Sequence, residues 1–172
     1  MEFMEVIYSR RSVRKYLQER IPREKIEEIL SLALDNTPSA GNRQPWMVYA
    51  TDDTEIKRAL VRCAYGQKFI EEAAWVAVVC ALPAESAGRY GERGATLYAI
   101  QDTASLITHI MLIARNFGYD TCWVGAFNED EAKKVLKLPP DQRPVAIIPI
   151  GVGGEKPTKP PRKRKEDVLK FL

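Results

Sequence analysis

The sequence predicts an α+β fold in which a small mixed, largely antiparallel sheet is flanked by helices. Two patterns carry that expectation. About four strand-like runs and five or six helical patterns follow one another without strict strand–helix alternation, which disfavours a doubly wound sheet. No G-x-G-x-x-G follows a strand and no P-loop occurs, which disfavours a Rossmann dinucleotide site and an NTPase. At 172 residues, 45 % apolar and 28 % charged, the chain fits one domain with a real core.

The elements follow in order. Residues 2–9 read as a short helix with Phe3, Val6 and Ile7 on one side. Pro22 stands where a first turn begins, and Ile26, Ile29, Leu30, Ala33 and Leu34 then recur at helical spacing, predicting a helix over 22–35. Residues 46–51 read as a strand. Asp52 and Asp53 mark a helix start, followed by Ile56, Ala59, Leu60 and Cys63. Phe69 to Ala73 predicts one more turn. Trp75 to Leu82 is a continuous apolar run rich in β-branched residues, as in a strand buried on both faces. Pro83 to Gly94, with three glycines, reads as a surface loop.

Residues 95–117 give the longest helical pattern. Leu97, Ile100, Ala104, Ile107, Met111 and Ala114 leave little polar face, so this helix is expected to be buried or to lie in a subunit interface. Gly118 is placed to cap it. His109 lies on it and reads as a core or interface residue, not a catalyst. Thr121 to Ala126 predicts a short strand, and Asn128 with Glu131 predicts a capped helix to about Leu136. Val145 to Val152 is another strand. Pro149 inside it removes one ladder donor and predicts a bulge or a free edge there. The tail from Gly153 is polar, proline-rich and basic, as suits a segment lying along a surface.

Charge and chemistry narrow the function classes. The net charge of +3 does not by itself indicate nucleic acid, but positive charge gathers at both ends. Arg10, Arg11, Arg14, Lys15, Arg20 and Arg23 face only Glu19. Lys156, Lys159, Arg162, Lys163, Arg164, Lys165 and Lys170 face Glu155, Glu166 and Asp167. Anionic ligands are expected there. Cys63, Cys80 and Cys122 are odd in number and widely spaced, which argues against a disulfide framework or structural zinc and fits a reducing cytoplasm. With His109 as the only histidine, neither a metal site nor a histidine-based nucleophile system is expected. No signal peptide is expected, because Arg10 and Arg11 interrupt any apolar run, and no run approaches the ~20 residues of a membrane span.

The stretch Pro38-Ser39-Ala40-Gly41-Asn42-Arg43-Gln44-Pro45-Trp46 separates a helix from a strand. Its prolines fix φ, Gly41 permits a conformation or close approach closed to other residues, and Ser39, Asn42 and Gln44 can donate and accept. Ordinary loop punctuation explains the same composition, and a solvated basic helix end explains Arg10 to Lys15. Taken together, basic residues with Ser12, an amide loop beside an aromatic, and a basic tail would suit a flat ring system with an anionic arm. Flavin mononucleotide (FMN) has that shape. The chain shows no evident nucleophile, acid–base pair or metal site, which agrees with chemistry carried by a cofactor.

Arg10-Arg11-Ser12-Val13-Arg14, the stretch Pro38 to Trp46, Cys122-Trp123-Val124-Gly125-Ala126-Phe127 and Pro161-Arg162-Lys163-Arg164 resemble, in order and spacing, the successive motifs of the FMN-dependent nitroreductase family. The resemblance covers essentially the whole chain. It implies an intertwined homodimer with two FMN sites at the subunit interface. Residues 1–154 would form the FMN-binding domain, and the basic tail 155–172 would complete the site.

By that likeness Arg10 and Ser12 hold the FMN phosphate, with Arg11 beside them and Arg162 and Arg164 joining from the tail. Arg14 lies nearer the pyrimidine end of the ring. Pro38, Ser39 and Ala40 come from the other subunit, and Asn42 bonds within or beside the site. The N–H groups of Val124 and Gly125 face the redox nitrogen and its neighbouring carbonyl, so Arg14, Val124 and Gly125 are the groups nearest the chemistry. Gln67 reads the ring edge. The helix over 95–117 forms the dimer core. Residues 83–94 are short where larger members have covering helices, so an open pocket is expected.

The implied reaction is ping-pong: NAD(P)H reduces FMN, and a nitroaromatic, quinone or similar small aromatic acceptor is reduced in turn. Dehalogenating or flavin-destroying chemistry on the same fold is an alternative. A module binding nucleic acid or a partner through Pro160 to Lys165 is another, disfavoured by the low net charge. No nucleic-acid or membrane partner is expected.

Overall fold

A computed structural model describes all residues from Met1 to Leu172. Its four strands are β1 (Trp46–Thr51), β2 (Trp75–Ala81), β3 (Asp120–Thr121) and β4 (Arg143–Gly151). They lie in the order β1-β2-β4-β3, and every ladder is antiparallel. A parallel bridge between Ser12 and Thr121 supplies the mixed character. The helices are α1 (Phe3–Ser9), α2 (Arg23–Asn36), α3 (Thr54–Cys63), α4 (Phe69–Glu72), α5 (Pro83–Arg93), α6 (Ala99–Asn116), α7 (Glu129–Leu136) and α8 (Lys165–Val168).

The strand period of two divides the core between the two sheet faces. Val76, Val78 and Cys80 of β2 and Ile147 of β4 face a layer holding Leu60, Cys63 and Ile70 of α3 and α4 and Ala132 of α7. Ala77 and Val79 of β2, with Ala146, Ile148 and Ile150 of β4, face Ile26 and Ile29 of α2 and Leu106, Ile107 and Ile110 of α6. This double burial is why β2 and β4 read as unbroken apolar runs. Each fully buried aliphatic side chain contributes about 1.5–3 kcal/mol. Local chemistry sets the helix ends. The Asp53 carboxylate accepts from Ile56 N at 2.9 Å, the Asn128 amide oxygen accepts from Glu131 N at 3.0 Å, and Lys137 closes α7 at φ 52°.

Four expectations change or are sharpened. Residues 83–94 are not a loop. Pro83 opens α5, the chain breaks at Gly91 (φ 58°, ψ −145°), and a π turn over Gly94–Tyr98 leads into α6. Gly94 packs so closely on α5 that an added Cβ would lie 2.7 Å from the Ser86 carbonyl carbon. Of the glycines that suggested a loop, Gly91 breaks the helix and Gly94 lets two helical segments meet.

Second, the strand expected over 121–126 is laddered only at Asp120–Thr121, then touches β4 again through Val124. Third, the bulge lies at Val145, because Val79 pairs with Ala146 while Cys80 pairs with Pro144. Pro149 keeps its place opposite Val76 on β2. On its other side the register puts it across from Cys122, where β3 has ended, so the free edge expected at this proline is present. The Tyr16 hydroxyl donates to Val13 O at 2.9 Å and lies 3.4 Å from the Pro149 carbonyl oxygen.

Fourth, the helical run Pro83–Asn116 is apolar and long enough by composition to cross a bilayer. Gly91 breaks it, however, and Leu106, Ile107, Ile110 and Ala114 are fully buried in the chain's own core, so the apolarity is that of a core helix.

Candidate active site

The basic segment is positioned by its neighbours. The Arg10 N–H closes α1 on Val6 O at 3.0 Å, and the chain then runs extended beside the sheet edge. Val13 N donates to Thr121 O at 3.1 Å, and Leu17 N to Val152 O at 2.9 Å. The side chains of Val13 and Tyr16 are buried, which turns Arg14 outward and leaves Arg10, Arg11 and Ser12 half-buried. The tail is tied to the same segment. Gly154 N donates to Lys15 O at 2.8 Å, and Arg14 N donates to the Glu155 carboxylate at 2.6 Å.

The two chain ends therefore meet. Arg10, Arg11, Ser12 and Arg14 share a cleft of about 350 Å³ with Pro157, Thr158, Pro160 and Arg162, and no carboxylate lines it. Partial burial, then the positive charge of Arg11 and Arg162, pulls the Arg10 guanidinium below its ordinary pKa. Crowded guanidiniums with no carboxylate among the lining residues are the electrostatics of an anion site.

Arg164 stays outside the cleft. Its guanidinium bonds both Asp167 carboxylate oxygens, at 3.1 and 3.0 Å, and lies 3.4 Å from Glu166. These two acids lie within one turn of it and capture the charge that the sequence reading assigned to the phosphate.

The central loop is held separately. Gly41, Asn42 and Gln44 all have positive φ, at 56°, 55° and 49°. Two anchors sustain that shape: Gln44 N donates to Ser39 Oγ at 2.9 Å, and Ala40 N donates to both Asp102 carboxylate oxygens at 3.1 and 3.2 Å. Asp102 is a buried carboxylate on α6, and burial raises its pKa against the lowering effect of the Ala40 bond. Asp102 is the only acid between residues 95 and 117, and that isolation is its one signal in the sequence. Pro38, Ser39, Ala40 and Asn42 line no part of the arginine cleft within one chain.

The third group is Gln67, Val124 and Gly125. Gln67 Nε2 donates to Ala64 O at 3.1 Å and Ala126 O at 3.2 Å, tying its turn to the segment after β3 and leaving its amide oxygen free. Val124 N donates to Ile147 O at 3.0 Å, so this N–H belongs to the sheet and is not free for a ligand. The N–H of exposed Gly125 has no partner in the chain. Of the two backbone donors expected here, only Gly125 is available. His109 Nδ1 lies 2.9 Å from Ser105 O within α6. A larger cavity, about 440 Å³, lies among Gln18–Ile21, Asp52–Lys57 and Glu72–Trp75, and none of the expected site residues enters it.

Comparison with known proteins gives the family and the fold. The profile of the Nitroreductase family matches residues 7–65 and 59–152. A relative from Archaeoglobus fulgidus, provisionally named an NADH dehydrogenase/NAD(P)H nitroreductase, is 33% identical over 136 residues, covering 79% of this chain and 74% of that one. A solved nitroreductase family protein from Clostridium novyi NT is 32% identical with a TM-score of 0.81, covering 93% of this chain and 89% of that one. A structure from Exiguobacterium sibiricum, solved in complex with FMN, shares the fold at a TM-score of 0.92 and 23% identity, covering 100% and 98% of the two chains. With a family match over most of its length, and cationic ends drawn to one cleft, this chain belongs to the nitroreductase family.

Proposed function

We propose that the protein is an FMN-dependent NAD(P)H oxidoreductase that reduces a nitroaromatic, quinone or similar acceptor. The observation that carries this reading is the meeting of Arg10, Ser12 and Arg162, from opposite ends of the chain, in a cleft without carboxylates. That donor set fits a phosphate, and the unpaired Gly125 N–H fits a ring acceptor, so the residues present suit FMN. Bound FMN would supply reversible two-electron uptake, so that hydride from NAD(P)H enters in one half-reaction and the acceptor is reduced in the other.

Each residue then has a task. Arg10, Arg11, Ser12 and Arg162 bind and neutralise the phosphate. Arg14, exposed beside them, offers positive charge to the ring end that becomes negative on reduction. Gly125 N–H donates to the ring, and the Gln67 amide oxygen accepts at its edge. The partner subunit's Pro38, Ser39 and Ala40 pack on the ring and exclude water, which makes a homodimer the working unit.

Arg14→Ala separates chemistry from binding. Anaerobic flavin reduction by NAD(P)H, followed by stopped-flow absorbance, is expected to slow at least about tenfold while the FMN Kd rises less. Equal losses in both would remove Arg14 from the chemistry. A colourless protein that takes up no FMN would end the whole reading.

A further inference from the structure

The α5 segment carries a cationic, aromatic cluster that the reaction above does not use. The Arg89 guanidinium sits 5.5 Å from the Tyr90 ring centre, and that of Arg93 5.4 Å from the Tyr98 ring centre. Arg93 Nε also donates to the Tyr98 hydroxyl at 3.1 Å. The two rings meet edge to face, with centres 5.1 Å apart. Stacking on ring faces limits how far the guanidiniums can wander. Neither forms an ion pair, although Glu92 stands beside Arg93 in the chain. The other acid of α5, Glu85, is spent on Arg43, whose Nε donates to Glu85 O at 2.9 Å and whose Nη2 lies 3.5 Å from its carboxylate.

The position of this cluster gives it meaning. The α-carbon of Gly41 lies so close to the Tyr90 hydroxyl and to Arg89 Nη1 that an added Cβ would fall 3.0 Å from the latter. Gly41 directly follows Ala40, which the functional reading sets against the flavin ring. Arg89 thus borders the loop from the same protomer, and Arg93 is joined to it through the Tyr98 and Tyr90 rings.

We propose, resting on that reading, that Arg89 and Arg93 hold the anionic group of an aromatic electron acceptor, so that carboxylated or sulfonated aromatics are preferred over neutral ones of the same shape. Tyr90 and Tyr98 offer ring edges to the acceptor's apolar part, and each guanidinium offers N–H donors to its oxygens.

The test uses FMN-loaded protein and two isosteric, non-reducible probes, 2-naphthoate and 2-naphthamide, titrated by calorimetry at low ionic strength. Naphthoate is expected to bind about tenfold tighter, as two exposed charge contacts allow. The double variant Arg89→Gln/Arg93→Gln is expected to bring the two affinities within about twofold. Raising NaCl to about 0.5 M should erase most of the difference in the unsubstituted protein, a route that does not depend on the variant folding. Equal affinities in the unsubstituted protein, or a naphthoate preference that survives the double substitution, overturn the proposal while the flavoenzyme stands. A protein that holds no FMN overturns the functional reading and this proposal with it.

Discussion

Replacing Gly94 by alanine sets two effects of known sign against each other. Gly94 has helical dihedrals (φ −61°, ψ −49°), so alanine would be favoured by about 0.5–1 kcal/mol on backbone entropy alone. The new methyl, however, would lie against the Ser86 carbonyl oxygen, 2.7 Å from its carbonyl carbon and 2.9 Å from Tyr90 Cβ. Backbone atoms cannot rotate aside, and such overpacking costs about 1–3 kcal/mol. The clash wins, with a net loss of about 1–2 kcal/mol.

Gly88 is the control. A Cβ there meets only Arg43 Nη2, at 3.7 Å, so Gly88→Ala should stabilise by about 0.5–1 kcal/mol. At about 2–4 °C per kcal/mol for a chain of this length, the melting points of the two variants should move in opposite directions, compared at equal protein concentration. Should Gly94→Ala melt at or above the unsubstituted protein, α5 does not fold back on the π turn as described.

Other outcomes follow from the same packing. Asp102→Ala removes the acceptor of the Ala40 N–H and should destabilise by about 1 kcal/mol in urea unfolding, while Asp102→Asn retains an acceptor and should cost less. Because burial raises the Asp102 pKa above its ordinary 3.8, the folded chain holds this proton more tightly. The favourable contribution is therefore largest at acid pH and is lost as pH rises through the raised value. A difference curve between Asp102→Asn and the unsubstituted protein that is flat from pH 3.5 to 7 would contradict this assignment. The three thiols are buried, and burial pushes Cys80 up to about 12 and raises Cys63 and Cys122. Ellman's reagent at pH 8 should titrate none quickly in the folded protein and all of Cys63, Cys80 and Cys122 in guanidinium.

Much of the fold was legible because burial imprints a period. The sequence placed α2 and α3 by their 3.6-residue stripes, and β2 and β4 by apolar runs that the structure buries on both faces. Residues 83–94 were misread because glycine has two uses. As turn punctuation Gly88, Gly91 and Gly94 suggest a loop, whereas in the structure Gly94 lets α5 approach a second helical segment. Periodicity cannot separate those uses, since the contact is made by tertiary packing. The Val124 N–H was assigned to a ligand through the family resemblance, and its sheet partner, Ile147, lies in a strand too far along the chain to be read locally. The position of Arg164 was closer to hand, since Glu166 and Asp167 stood two and three residues ahead as local competitors. Asp102 announced itself only as a lone acid in an apolar helix, and its link to Ala40 needed the fold.

The central claim is that one protomer's arginine cleft and its partner's Pro38–Asn42 loop enclose a single cofactor. A crystal structure of the protein with FMN tests it most directly. The account predicts a dimer with the phosphate on Arg10, Ser12 and Arg162 of one protomer, and the ring against Pro38, Ser39 and Ala40 of the partner subunit. FMN held wholly within one protomer, or a phosphate seated away from Arg10, would contradict it.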